Sequence, residues 1–328
     1  MSATSAPVSA SPLRPLLTAA AGLCWVLQFF SVESVAPQVA PLFQATVAAA
    51  TAMLALWLWT RLRGIALFAQ GASLAAALWG GALFAAQWGC LYLAVARAPA
   101  LDVAVDYGVA GFLALGLLPP PRGPRRAGAG DLPWHRQLAC LLPALVGAML
   151  LAWRGLSGGS IAASALTLGA AVCFALDARM TWQGGGQSED TLRWRFYQLC
   201  VAALLLPMVA VMFSPTWNFT PGIGGLGAIG LQALCGGLAL PLLRAVALRH
   251  GAERRSGTAP SGRPGLGLLA APLWIVGFAL AAGGIGVAAA PDRLQLSAAA
   301  ALVLAASCRW QCARRVHAAS PAPGVEAG

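Results

Sequence analysis

Apolar residues run through this chain in long unbroken blocks, about ten of them between Leu16 and Cys312, and the arginines collect in alternate gaps between the blocks. The blocks are roughly 17 to 25 residues long without period-two alternation, which predicts bilayer-crossing helices rather than barrel strands. A helix satisfies its own backbone, whereas each unpaired amide in hydrocarbon costs several kcal/mol. Spans are expected over Leu16 to Val32, Val39 to Trp59, Ala72 to Val95, Ala98 to Leu118, Gln137 to Trp153, Ile161 to Trp182, Phe196 to Phe213, Ile223 to Leu248, Leu266 to Ile285 and Leu294 to Trp310. The uncharged stretch between Arg63 and Arg97 is long for one helix and short for two. The turn-prone Gln70-Gly71 favours one helix starting after it.

The arginines orient these spans. Arg14, Arg61, Arg63, Arg122, Arg125, Arg126, Arg136, Arg179, Arg193, Arg195, Arg249, Arg254, Arg255, Arg263, Arg309, Arg314 and Arg315 fall on one set of ends, and only Arg97, Arg154 and Arg293 on the other. The positive-inside rule then puts both termini and the even-numbered loops in the cytoplasm. With 59% hydrophobic and 9% charged residues and a mean hydropathy of +0.74, the apolar surface exceeds what a soluble core of this length could hide. The solvent is lipid. The net charge of +11 is then mainly a topology signal, and its scatter over short loops argues against nucleic-acid binding. Lysine is absent, and the Ala, Gly and Arg-rich vocabulary points to a GC-rich bacterial genome and hence to the bacterial cytoplasmic membrane.

The two halves resemble one another. Ala20-Ala21-Gly22-Leu23-Cys24-Trp25-Val26-Leu27-Gln28 lies over Gly169-Ala170-Ala171-Val172-Cys173-Phe174-Ala175-Leu176-Asp177, and Phe43-Gln44 lies over Tyr197-Gln198 at nearly the same offset. Five helices per half is an odd number, so a second copy must cross the membrane upside down. Inverted repeats of this kind build transporters with a midplane site. The expected fold is thus an all-α polytopic membrane protein of about ten transmembrane helices. A cytoplasmic tail (1–15), two inverted five-helix repeats (16–153 and 154–312) and a second cytoplasmic tail (313–328) make up the chain.

Gly22-Leu23-Cys24-Trp25, Ala170 to Leu176, Leu91-Tyr92-Leu93-Ala94-Val95-Ala96-Arg97, Arg244-Ala245-Val246-Ala247-Leu248-Arg249 and Leu294-Gln295-Leu296 resemble the drug/metabolite transporter superfamily, ten-helix carriers with paired EamA-like domains. The chain departs from that pattern in Leu117-Leu118-Pro119-Pro120 and Ala282-Gly283-Gly284, where the family's helices 4 and 9 end in Gly-Glu, and in a longer, more basic loop at 251–264. The resemblance, to a divergent member, implies a secondary transporter of small metabolites such as amino acids or drug-like solutes, acting as an exporter.

Polar side chains inside spans mark where a solute could bind, because each is expensive there. Asp102 and Asp106 stand one helical turn apart on one face, Asp106 on the order of 12 Å below the outer end of its helix. Two close carboxylates resist ionising together, which makes the pair a proton-coupling candidate. The plainer alternative seats Asp102 beside Arg97 at the interface, with Asp106 hydrogen-bonded to a neighbouring helix. Asp177 holds the repeat position of Gln28, with an Asp177–Arg179 ion pair as its structural alternative. Gln44 and Gln198 are the next equivalent pair, and Gln87, Trp88, Tyr107 and Gln232 complete the intramembrane polar set. Trp25, Trp79 and Trp88 lie deep enough to line an aromatic cavity. Trp57, Trp59, Trp153, Trp182, Trp194, Trp217 and Trp310 fall at span ends as headgroup anchors. Arg244, near the inner boundary, reads as a snorkelling side chain.

The eight cysteines show no metal spacing beyond Cys308 and Cys312, and structural reduced thiols are the default. His135, His250 and His317 lie in expected cytoplasmic segments, no G-x-G-D or nucleotide-binding loop is present, and neither an enzyme nor a cofactor is expected. Lipid and a small solute are the expected partners. The rival reading is a non-transporting membrane scaffold or accessory subunit.

Overall fold

The structure, a computed structural model, describes residues 13–67, 74–117, 134–158, 160–183, 188–213, 218–240, 243 and 265–318. In chain order the described helices are α1 (Leu13–Val35), α2 (Pro41–Leu62), α3 (Leu74–Val95), α4 (Ala100–Leu117), α5 (Trp134–Ser157), α6 (Ile161–Gln183), α7 (Ser188–Phe213), α8 (Ile223–Gln232, running on as a π-helical turn over Ala233–Ala239), α9 (Gly265–Gly284) and α10 (Arg293–Ala318). No strand occurs among the described residues; Val39 and Phe219 form an isolated antiparallel bridge. α1 to α7 each contain a stretch long and apolar enough to cross a membrane, while α8 and α9 contribute shorter apolar helices. The chain is an all-helical membrane protein, with large apolar side chains such as Leu204, Met208 and Met212 on its outward surface.

Helix ends follow local chemistry. Pro41 occupies the first turn of α2, where its missing N–H costs nothing. Gly64, at φ +67°, supplies the left-handed residue that ends α2. The N-terminus of α4 is capped from another helix, the Ala100 amide donating to Glu33 Oε1 at 3.2 Å. α10 opens with a reciprocal capping box: Gln295 N–H donates to Asp292 Oδ1 at 2.8 Å, and Asp292 N–H donates to Gln295 Oε1 at 3.0 Å.

Successive helices alternate in direction. Glu33 against Ala100, Ala40 N–H donating to Asn218 O at 3.0 Å, and Arg154 against Asp292 gather the C-terminal ends of α1 and α5 with the N-terminal ends of α2, α4, α8 and α10. At the other end Arg193 Nε donates to Ala66 O at 2.7 Å and Cys140 meets Cys312. The principal packings are α5 on α10, α2 on α7, α4 on α9, α3 on α6 and α7, α4 on α6, α1 on α8 and α9, and α2 on the π turn. α2 shows how apolar helices approach closely in lipid: Ala45, Ala48, Ala49 and Ala52, a helical stripe of small residues, are wholly buried.

Several expectations are corrected. α7 begins at Ser188, well before Phe196, because Arg195 is a buried helical residue and not a loop charge. Arg154 likewise belongs to the last turn of α5, its charge met by two carboxylates. α10 runs on to Ala318. Only one helix fills the described residues between Arg63 and Arg97. Trp79 is 67% exposed on the outer face of α3 instead of lining a cavity. Trp194 packs its ring against Gly80 of α3 rather than anchoring at an interface, whereas Trp57, Trp59, Trp153 and Trp310 are outward-facing as expected. Arg244, Trp217, most of the expected helix 8 beyond Leu240, and the side chain of Trp182 lie outside the described residues.

Candidate functional site

Polar and aromatic side chains meet in a buried layer where α1, α3 and α4 face α6, α7 and α8. On α1, Trp25, Gln28 and Phe29 share one face by their three- and four-residue spacing. Phe84, Trp88 and Tyr92 do the same on α3, four residues apart. Trp25 stacks at 5.8 Å on Phe29 and lies 4.9 Å from Tyr107 of α4 and 6.2 Å, edge-on, from Phe174 of α6. Trp88 sits between Phe84 and Tyr92, at 4.8 and 5.7 Å. Gln87 donates to the Tyr107 hydroxyl at 2.9 Å, and Tyr92 donates across the interface to Gln232 Oε1 at 3.1 Å.

Arg195 organises the polar side of this layer. Its Nε and Nη2 donate to the carbonyls of Gly237 and Gly236 at 2.8 and 2.9 Å, and its Nη1 donates to Gln198 Oε1 at 3.0 Å. The guanidinium also lies 3.8 Å from the Phe84 ring centroid, a cation–π contact away from water. Gln198 bridges the two, its Nε2 donating to Asp177 Oδ1 at 2.5 Å. The accepting carbonyls belong to the π-helical turn of α8. Single π turns concentrate at functional sites, where the altered backbone re-aims carbonyls. The packing is close there: a Cβ on Gly237 would stand 2.4 Å from the Ala52 Cβ, and one on Gly236 would stand 2.3 Å from Gln28 Oε1, so the Gln28 amide would have to move.

Not every polar atom in the layer is used. Trp25 Nε1, Gln28 Oε1 and Gln232 Nε2 are buried without a hydrogen-bond partner. The Tyr92 hydroxyl stands beside Gln28 but spends its proton on Gln232. Each orphan costs about 1–3 kcal/mol, so such groups call for an explanation.

A second cluster sits at the end of the bundle where α1 finishes. Asp102 Oδ1 accepts from Arg154 Nη2 at 3.0 Å and from Gln295 Nε2 at 2.7 Å; Arg154 Nε also pairs with Asp292. Asp106, one turn deeper, accepts from Ser164 of α6 at 3.2 Å. This overturns the seat of Asp102 beside Arg97, which instead donates to Leu93 O in the last turn of the preceding α3. Asp177 accepts from Gln198 of α7.

Of the residues singled out by sequence, the structure brings Trp25, Gln28, Trp88, Tyr107, Asp177, Gln198 and Gln232 into one layer. It leaves Asp102 and Asp106 in the end cluster. Gln44 is buried elsewhere, its Nε2 donating to Val32 O at 3.4 Å, a tie between α1 and α2. Sequence reasoning missed Arg195 and Tyr92. The available signal for the first was that Arg195 and Gln198 share a helical face; for the second, that Tyr92 follows Trp88 by four. Among the described residues, no group of three or more His, Cys, Asp or Glu could hold a metal ion.

No protein-family model and no curated protein matches the chain. A solved crystal structure of a protein has a similar fold, with a TM-score of 0.59 over 95% of this chain and 99% of that one at 18% sequence identity. At that identity the likeness concerns the fold alone.

Proposed function

We propose that the chain is a secondary carrier of small metabolites, an exporter of the drug/metabolite transporter type with EamA-like halves. It works by alternating access in the cytoplasmic membrane, with ten crossing helices and both termini on the cytoplasmic side. The observation that carries the proposal is the buried polar and aromatic layer, to which α1, α3 and α4 of residues 16–153 and α6, α7 and α8 of residues 154–312 both contribute, with amide and indole atoms left unpaired between them. A solute site is lined in this way, by apolar and aromatic faces with a few placed polar groups.

The packing supports two inverted halves. Adding five to each helix number turns α1 on α8 and α9 into α6 on α3 and α4, and α3 on α7 into α8 on α2; it leaves α2 on α7, α4 on α9 and α5 on α10 unchanged. An odd shift reverses direction, as an inverted repeat requires. Gln87-Trp88-Gly89-Cys90 and Gln232-Ala233-Leu234-Cys235 sit at equivalent places and share Gln and Cys three residues apart. Because Arg195 is spent on carbonyls, Gln198 and a ring, the groups offered to a solute are amides and aromatic faces rather than a free charge. Proton coupling is assigned to Asp106, since Asp102 is held by Arg154 and Gln295.

The test combines access and flux. In a cysteine-free background, cysteines placed at Asp106 and Asp177 should react with a polar thiol reagent applied from one side. Cells carrying the chain should also release metabolites that cells lacking it retain. Silence at both positions together with identical export profiles would leave the scaffold reading in its place. Asp106→Asn should abolish the dependence of flux on a pH gradient in proteoliposomes; persistence of that dependence removes the coupling assignment.

A further inference from the structure

α5 and α10, from the middle and the last part of the sequence, pack along a seam. At its one end lies the Arg154–Asp292 ion pair. At mid-length Gly147 admits the α10 backbone so closely that a Cβ there would stand 3.1 Å from Ala298 O and 3.4 Å from the Ala301 Cβ. At the other end the Cys140 and Cys312 sulfurs are 3.4 Å apart, Cys140 donating. Cys140, Gly147 and Arg154 are spaced by sevens along α5, while Cys312, Ala301, Ala298 and Asp292 descend α10 in the opposite sense, the register of two antiparallel helices. The thiol contact is therefore fixed by the whole seam and not by one side-chain rotamer. A disulfide needs sulfurs about 2.05 Å apart, so closing this pair takes roughly 1.4 Å of movement, within reach of side-chain rotation.

We propose that Cys140 and Cys312 are a reversible redox pair that staples α5 to α10 on exchange with a low-molecular-weight disulfide such as oxidised glutathione. Cys312 is the entry point, because it is partly exposed whereas Cys140 is buried. Its thiolate attacks a glutathione sulfur, forming a mixed disulfide and expelling one glutathione thiolate. The Cys140 thiolate then attacks the Cys312 sulfur and expels the second. Two protein thiols are oxidised, one glutathione disulfide is reduced to two thiols, and the two protons leave with them. The exposed Cys308, one turn back on α10, is a bystander.

The chain contains no lysine, so trypsin cuts only after arginine. This separates the two α10 cysteines at Arg309 and places Cys140 in residues 137–154 and Cys312 in residues 310–314. The purified full-length protein is treated with oxidised glutathione, digested and mapped by mass spectrometry. The expected product is a linked 137–154/310–314 pair that disappears with reductant, is lost in Cys140→Ser and in Cys312→Ser, and persists in Cys308→Ser. Oxidation that yields only glutathione adducts, crosslinks through Cys308, or no link at all would overturn the assignment. The readout does not depend on transport.

Discussion

Arg195→Met tests whether the central layer is organised by one buried charge. The substitution keeps much of the apolar stem but removes the donors to the Gly236 and Gly237 carbonyls and to Gln198, the amide that in turn donates to Asp177. Three buried acceptors lose their donor, each at about 1–3 kcal/mol, so the substitution should cost about 3–5 kcal/mol. Lysine keeps the charge but loses the planar fork that reaches two carbonyls and an amide together, so Arg195→Lys should fall between wild type and Arg195→Met. Asp177→Asn in the Arg195→Met background should cost less than in the wild type, with a coupling of roughly 1–3 kcal/mol. Denaturant-induced unfolding in mixed micelles, followed by tryptophan fluorescence for the four proteins of the cycle, gives both numbers. An Arg195→Met loss below about 1 kcal/mol, or strictly additive effects, would refute the relay from the π turn to Asp177, since surface-like behaviour is what an unburied arginine gives.

The same titration serves four further substitutions. Arg154→Gln removes an arginine whose side chain is 29% exposed, so water and salt screen it and the loss should be about 1 kcal/mol, smaller than for Arg195→Met and shrinking as salt is raised; the reverse order would contradict burial as the controlling variable. Gly237→Ala forces a Cβ against the Ala52 Cβ and should cost about 1–3 kcal/mol by overpacking, whereas Gly227→Ala, on the same helix with open space around it, should be neutral or stabilising by up to about 1 kcal/mol; equal effects would deny the close approach of α2 and the π turn. Gln28→Leu deletes an amide whose Oε1 is buried without a partner and should lower solute flux in proteoliposomes without loss of stability; unchanged flux would remove Gln28 from the solute site.

What the sequence by itself determined is the solvent and the secondary structure. Long apolar blocks in a chain with few charges admit only lipid-facing helices, and α1 to α6 and α9 fall within a few residues of the expected blocks because backbone satisfaction in hydrocarbon leaves no other choice. What only the tertiary structure decided is which side of each helix faces inward. Trp79 and Trp88 stand nine residues apart on α3, half a turn out of phase, so one had to face out and one in. Yet lipid and protein core are equally apolar, and a helix apolar all round carries no pattern to say which. The arginines show the same limit: Arg61, Arg63 and Arg195 look alike as charges near a span end. Only the π turn of α8, some forty residues beyond Arg195, supplies the carbonyls that let one of them be buried. Local propensity fixes helices within each block, but a buried charge is permitted only by its partners, and here those come from distant parts of the chain.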